Sequence, residues 1–416
     1  MPIKPSHHCH RWTRLAPLIA ALAAAQSAQA QTDDTTPFYI GGSLGAARVS
    51  NVYRESSATN NDTVVSVGLL GGIDQKLGRQ HLTVDGSLQN NRYSENHDLN
   101  NRSYTLRSAL NWQTVGNLSG VLSAKSDRSL ADFNIGGGVD PIVKKNVERE
   151  DEYQALVRLG VATRYTLEGS WTQRRRDFSA SEYDRFDFRQ NTGSLGIYAT
   201  PAGNVRLGLA ARHTTGKNPR FPIGLAFDPQ TLTFVVVSAP NDYTRDDIDF
   251  TTRWSTGGHS TLNTRISRSK NQNSLNDRLR DFSGTTGAVG WNWQPTAKLQ
   301  INLQYARDTG QESVVNTADL NRVYTSWQLG GSYALTSKIN LSAKASRNHA
   351  SRASTAGATV VDALDDFKAY NLSMRWAFTR GINLSCQYDH ASRNSSVPQY
   401  VYSAGSYGCT TQAIFY

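Results

Sequence analysis

Short turn-forming stretches punctuate the chain about every forty residues, and this period constrains the fold more than any other feature of the sequence. The turns are Leu77-Gly78-Arg79, Val115-Gly116-Asn117, Ala162-Thr163-Arg164, Pro201-Ala202-Gly203-Asn204, Gly257-Gly258, Pro295-Thr296-Ala297, Leu335-Thr336-Ser337 and Arg380-Gly381. Each is flanked on both sides by about 10 to 13 residues that alternate apolar and polar, the length at which a tilted strand crosses a bilayer. Longer polar stretches, such as Asn90–Asn101, Arg128–Asp151 and Thr215–Tyr243, separate these pairs. The unit is therefore strand, long loop, strand, tight turn. Eight tight turns joining nine hairpins predict eighteen strands, or sixteen if a weak hairpin is a folded loop.

The alternation also assigns faces. Tyr370, Leu372, Met374, Trp376 and Phe378 interleave with Asn371, Ser373, Arg375 and Ala377, and Leu299, Ile301, Leu303 and Tyr305 with Gln300, Asn302 and Gln304. A soluble sandwich or propeller would alternate too, but rarely over so many long strands with loops so unequal at the two ends. The expected fold is all-β: a transmembrane antiparallel up-and-down barrel with short periplasmic turns and long extracellular loops, in the outer membrane of a Gram-negative bacterium. The tally of 33 Gly, 18 Tyr and 8 Trp against 2 Met favours strands, turns and interfacial aromatics over helices. The final Ala413-Ile414-Phe415-Tyr416 reads as a terminal strand ending on aromatics, as bacterial barrels commonly do.

Residues 1–30 read as a signal peptide, with Lys4, Arg11 and Arg14 before the apolar run Leu15 to Ala25 and the small-residue site Ala28-Gln29-Ala30. The barrel is expected to occupy residues 31–416. The first strand, near Phe38, follows the cut so closely that a periplasmic scaffold is expected to be a separate protein, and no plug domain is expected before the barrel. Loss of the leader takes the formal net charge from +10 to about +7, a balance that suits an anionic partner.

If the aromatic and aliphatic residues face lipid, the opposite face carries Arg107, Lys125, Arg158, Arg164, Arg174, Arg206, Arg212, Arg253, Arg265, Lys344 and Arg375. Charges on the lipid face cost about 2 to 4 kcal/mol each near the midplane, so the polar phase is assigned to the interior. Few acids are expected beside these cations, mainly Glu168 and Asp249, which predicts a basic, anion-selective lumen. The alternative is that the arginines pair with carboxylates on inward-folded loops and stiffen the barrel. Cys386 and Cys409 lie symmetrically about the centre of the last hairpin loop, a register that predicts a cross-strand disulfide, with two unlinked thiols as the alternative. The same register pairs Tyr388 with Tyr407.

Catalytic signatures are missing. The histidines are scattered without metal-ligand spacing, Gly41-Gly42-Ser43-Leu44-Gly45 is a small-residue strand segment, and Gly136-Gly137-Gly138 sits in a polar loop with no helix behind it. Acidic pairs such as Asp246-Asp247 and Asp365-Asp366 read as solvated loop ends. No enzyme activity, metal, cofactor or nucleic-acid partner is expected.

Several segments resemble the EpsL family of outer-membrane proteins associated with exosortase-linked exopolysaccharide biosynthesis. They are Gly116-Asn117-Leu118-Ser119-Gly120, Arg128-Ser129-Leu130-Ala131-Asp132-Phe133, Thr163-Arg164-Tyr165-Thr166-Leu167-Glu168-Gly169, Glu182-Tyr183-Asp184-Arg185 and Asn218-Pro219-Arg220-Phe221, with the late Cys386 and Cys409 also fitting. The Phe415-Tyr416 ending departs from that family's pattern. The resemblance implies an outer-membrane role in making or exporting an extracellular polysaccharide; the basic lumen suits an acidic polymer, and the expected partners are that polysaccharide, outer-membrane lipid and separate periplasmic or inner-membrane export components. The alternatives are a general or anion-selective porin for small solutes, and a structural or adhesive barrel that binds surface polymer.

Overall fold

The computed structural model describes residues 36–57, 59–135, 139–160, 164–230, 232–275, 281–309, 323–351 and 365–416. The signal-peptide segment and the Gly136–Gly138 run lie outside them. Eighteen antiparallel strands form one closed sheet. In chain order they are β1 (Phe38–Val49), β2 (Asp62–Leu77), β3 (Gln80–Tyr93), β4 (Asn101–Gln113), β5 (Leu118–Leu130), β6 (Val147–Leu159), β7 (Tyr165–Phe178), β8 (Phe188–Ala202) and β9 (Val205–Asp228). They continue with β10 (Thr233–Thr256), β11 (Ser260–Asn273), β12 (Phe282–Trp293), β13 (Leu299–Thr309), β14 (Val323–Ala334), β15 (Ile339–Ser351), β16 (Asp365–Ala377), β17 (Ile382–Ser395) and β18 (Tyr402–Phe415). Every strand pairs with its sequence neighbours, and β1 closes the barrel on β18 from Ile40 opposite Phe415 to Val49 opposite Ser406. Closure leaves no free edge in the wall, the condition for placing backbone in lipid.

The described tight turns fall where the sequence places them, while Ala162 and Thr163 of the turn before β7 lie outside the described residues. Gly78, Gly257 and Gly258 adopt φ of +60°, +54° and +80°, which a side chain would strain. The strict two-residue alternation turns Leu122, Tyr153, Trp171, Leu195, Leu209, Ile266, Leu303, Leu329 and Leu372 outward, where they are exposed as an apolar belt. Aromatics edge the belt on both sides: Trp254, Trp293, Tyr333 and Phe378 towards the tight turns, and Tyr153, Tyr305, Trp327, Tyr370 and Tyr407 towards the long loops. The interior phase is polar, with Ser66, Asn91, Gln190, Thr214, Ser267, Thr286, Gln328 and Ser346 buried.

The expected loops shrink in the structure. Thr215–Tyr243 is not a polar loop: β9 and β10 both run to 24 residues and meet at a turn near residue 230. The apolar, β-branched runs around Phe221–Phe227 and Phe234–Val237 extend the ribbon, and the disruptive Pro222 and Pro240 sit at register shifts where ladder bonds are broken anyway. Arg128–Asp151 likewise contracts, because β5 continues to Leu130 and β6 begins at Val147.

Candidate functional site: the barrel lumen

Every basic residue assigned to the lumen from sequence stands on the interior phase of its strand except Arg164, which lies in the turn before β7 and is exposed at the periplasmic rim. The expected scarcity of acids is not what the interior shows. Asp85, Asp127, Glu150, Glu152, Asp247, Asp308 and Asp389 share that phase with Glu168 and Asp249. Two misread stretches account for much of the difference. Glu150 lies in a segment that is strand rather than loop, and Asp247, far from being a solvated loop end, is buried within β10. Asp365 is corrected in the same way: it is buried and meets Arg393 at 3.0 Å.

The carboxylates organise the arginines into a ladder along one side of the wall. Arg158 and Arg206 share Glu168 at 2.8 and 3.1 Å, and the Arg206 guanidinium stacks 4.1 Å from the centre of the Tyr198 ring. Arg174 lies 3.5 Å from Glu150 and 3.7 Å from Glu152, and Lys125 lies 2.5 Å from Asp127. The densest part joins Arg212, Arg245 and Arg265 to Asp247, Asp249 and Asp308: Arg212 reaches Asp247 at 3.1 Å and Asp249 at 3.2 Å, Arg245 reaches Asp247 and Asp308 at 2.9 Å each, and Arg265 reaches Asp308 at 2.7 Å. Burial on this scale requires full pairing, because an uncompensated ion costs far more than the pair gains. Arg245 was not singled out from sequence, although its odd position on β10, in step with Asp247 and Asp249, carries the signal.

Charge is not compensated evenly along the pore. Near the tight turns Arg206 sits directly across the β9–β10 ladder from Arg253, with Arg158 close by on β6, and Glu168 is the acid that meets Arg158 and Arg206. The periplasmic part of this wall is therefore net positive, whereas the three-arginine, three-aspartate network nearer the long loops is neutral.

The extracellular mouth carries a small apolar core of its own. Residues 131–135 and 139–146, between β5 and β6, pack Ala131, Phe133 and Ile142 against Val52, Tyr53, Leu99, Phe178, Tyr183 and Phe186. The Tyr53 and Phe133 rings meet edge-on at 5.1 Å. Polar contacts tie this loop to distant parts of the rim. Arg54 meets Asp132 at 2.5 Å and stacks over Tyr402 at 5.6 Å. Asn134 Nδ2 donates to the Arg54 carbonyl at 3.0 Å, Arg393 Nη1 donates to the Asn134 carbonyl at 2.8 Å, and Gln399 Nε2 donates to Asp140 at 2.6 Å. Burial pushes the Asp132 carboxyl up against the downward pull of Arg54 and Arg393. Burial likewise raises Asp187, at the end of the neighbouring loop, to about 6, although Phe178 N–H and Arg220 donate to it.

Cys386 and Cys409 are opposite one another in the β17–β18 register and joined by a disulfide of 2.13 Å, with Tyr388 opposite Tyr407 on the next outward rung. Among the described residues no three His, Cys, Asp or Glu side chains gather as a metal site.

No known family model matches the chain, and no curated protein matches it. Solved structures similar to it include proteins of Pseudomonas aeruginosa. The outer membrane protein OpdK is 10% identical with a TM-score of 0.46, covering 91% of this chain and 99% of that one. OccK9 (OpdG) is 11% identical with a TM-score of 0.45, covering 91% and 97%, and OccK2 (OpdF) is 9% identical with a TM-score of 0.47, covering 91% and 97%. Likenesses at this level do not assign a family.

Proposed function

We propose that the protein is an outer-membrane channel for small polar solutes, with a preference for anions. The observation that carries this reading is the polarised lumen: Arg158, Arg206 and Arg253 stand on the periplasmic half, where Glu168 pairs with Arg158 and Arg206, while the arginines above them are neutralised by buried aspartates. A pore wall with a local cationic excess concentrates anions and repels cations. The paired network keeps charge in the wall without adding to that excess.

The purified barrel in a planar bilayer under a salt gradient is expected to give a reversal potential on the anion side, and a cation-side potential would refute the preference. No conductance at all would instead favour a structural or adhesive barrel. Export of an acidic polysaccharide rests on the sequence resemblance alone, and in that reading the periplasmic and inner-membrane machinery would be separate proteins. The packing of Ala131, Phe133 and Ile142 at the mouth favours small solutes over a polymer chain. Liposome swelling with sugar acids, compared with uptake of the corresponding polymer, separates the two.

A further inference from the structure

Above the apolar belt on the outward face, cations line up across five neighbouring strands. Arg128 on β5 is directly opposite Arg149 on β6, Arg175 on β7 is opposite Arg189 on β8, and Arg189 is opposite Lys217 on β9. All five are exposed, and each shares its outward phase with a belt residue of its own strand: Leu122, Tyr153, Trp171, Leu195 and Leu209. Like charges directly opposite in a ladder repel one another, so such a row is unfavourable unless something anionic lies on it.

The acids on this face answer only part of the charge. Asp151 pairs with Arg149 at 3.0 Å, Asp177 with Arg175 at 2.5 Å, and Asp242 with Lys217 at 3.6 Å. Arg128 and Arg189 have no carboxylate within ion-pair distance among the described residues. Guanidinium forks of this kind match phosphate oxygens, which accept two parallel N–H bonds. The position selects the source of the phosphate. Along β8 the outward residues run Ile197, Leu195, Gly193, Asn191 and Arg189, so the cations stand where an apolar band about 25 Å tall gives way to headgroups. Tyr153 and Trp171 mark that same boundary.

We propose that the outward face of β5–β9 binds the phosphorylated headgroup of an outer-leaflet lipid, its phosphates on Arg128, Arg175 and Arg189 and its acyl chains on the belt below. The site lies on the wall opposite the lumen face of the same strands, and it stands or falls independently of what the channel conducts.

The test uses the whole folded barrel in non-ionic micelles, titrated with bis-phosphorylated lipid A, with the same lipid stripped of both phosphates, and with inorganic phosphate. Native mass spectrometry reads bound lipid and the thermal midpoint reads stabilisation. The phosphorylated lipid is expected to bind roughly tenfold more tightly than the stripped one, and the R128Q/R175Q/R189Q variant to lose roughly that factor. Inorganic phosphate at millimolar concentration is expected to leave the midpoint unchanged. Equal binding of the two lipids, undiminished binding by the variant, or equal stabilisation by free phosphate would each overturn the proposal. If the triple variant does not fold, R128Q/R189Q keeps the Arg175–Asp177 pair and gives the same readout. K298Q/K338Q at the opposite rim is the control: an equal loss there would reduce the effect to general charge attraction and overturn the site.

Discussion

Arg206 and Arg253 face one another across the β9–β10 ladder on the lumen side, a like-charge pair at directly opposed positions. Arg206 has Glu168 at 3.1 Å and Tyr198 beneath it, so the repulsion falls mainly on its partner. Replacing Arg253 by Glu turns the repulsion into attraction, which is expected to raise stability by about 0.2 to 1 kcal/mol. The same change removes anion preference, so the reversal potential under a salt gradient should move towards zero while the urea midpoint rises. An unchanged potential would show that this end of the pore does not set selectivity.

Asp308 is buried between Arg245 at 2.9 Å and Arg265 at 2.7 Å. Asp308→Ala leaves three guanidinium groups, those of Arg212, Arg245 and Arg265, sharing Asp247 and Asp249, and breaking a buried pair from one side costs about 3 to 5 kcal/mol. Asp308→Asn keeps the shape and one acceptor and should cost less. Urea unfolding in detergent, followed by tryptophan fluorescence, checks the order Ala below Asn below wild type.

The positions of the strands were legible because turns and two-residue alternation are local signals, and Gly78 and Gly257-Gly258 fall where the chain reverses. Which face is interior was legible for the same reason. The charge balance of the interior was not, because it depends on where strands end: once Glu150 and Asp247 were read as loop residues, the arginines beside them looked unopposed. The extracellular clasp had no sequence signal at all. Arg54, Asp132, Asn134 and Arg393 meet only after the barrel closes, through contacts between parts of the chain up to 265 residues apart.

The Cys386–Cys409 bridge spans 23 residues on the lipid-facing side of the last hairpin. Closing a loop of that length in the unfolded chain is worth about 3 kcal/mol in the chain-entropy account. Cys386→Ser with Cys409→Ser should therefore lower the urea midpoint without altering conductance, since neither residue faces the pore. Thiol labelling of unfolded, unreduced wild-type protein is expected to detect no free thiol. Two labelled cysteines per chain would contradict the bridge.

Asp187 gives the extracellular side a pH dependence of definite sign. Burial raises its carboxyl to about 6, so between its ordinary value near 3.8 and about 6 the folded loop binds more protons than the unfolded chain. A group raised in this way contributes stability that is present at low pH and lost as pH rises through about 6. The loop 179–187 should accordingly open more readily at pH 7.5 than at pH 5, read as hydrogen exchange corrected for the intrinsic rate. Asp187→Asn keeps an acceptor for the Phe178 N–H, at 2.8 Å in the wild type, and should flatten the profile. Arg220→Gln removes the guanidinium that donates to Asp187 at 3.0 Å and opposes the upward shift, so it should move the transition to higher pH. If protection in this loop is equal at both pH values, or greater at pH 7.5, the burial of Asp187 does not control its opening.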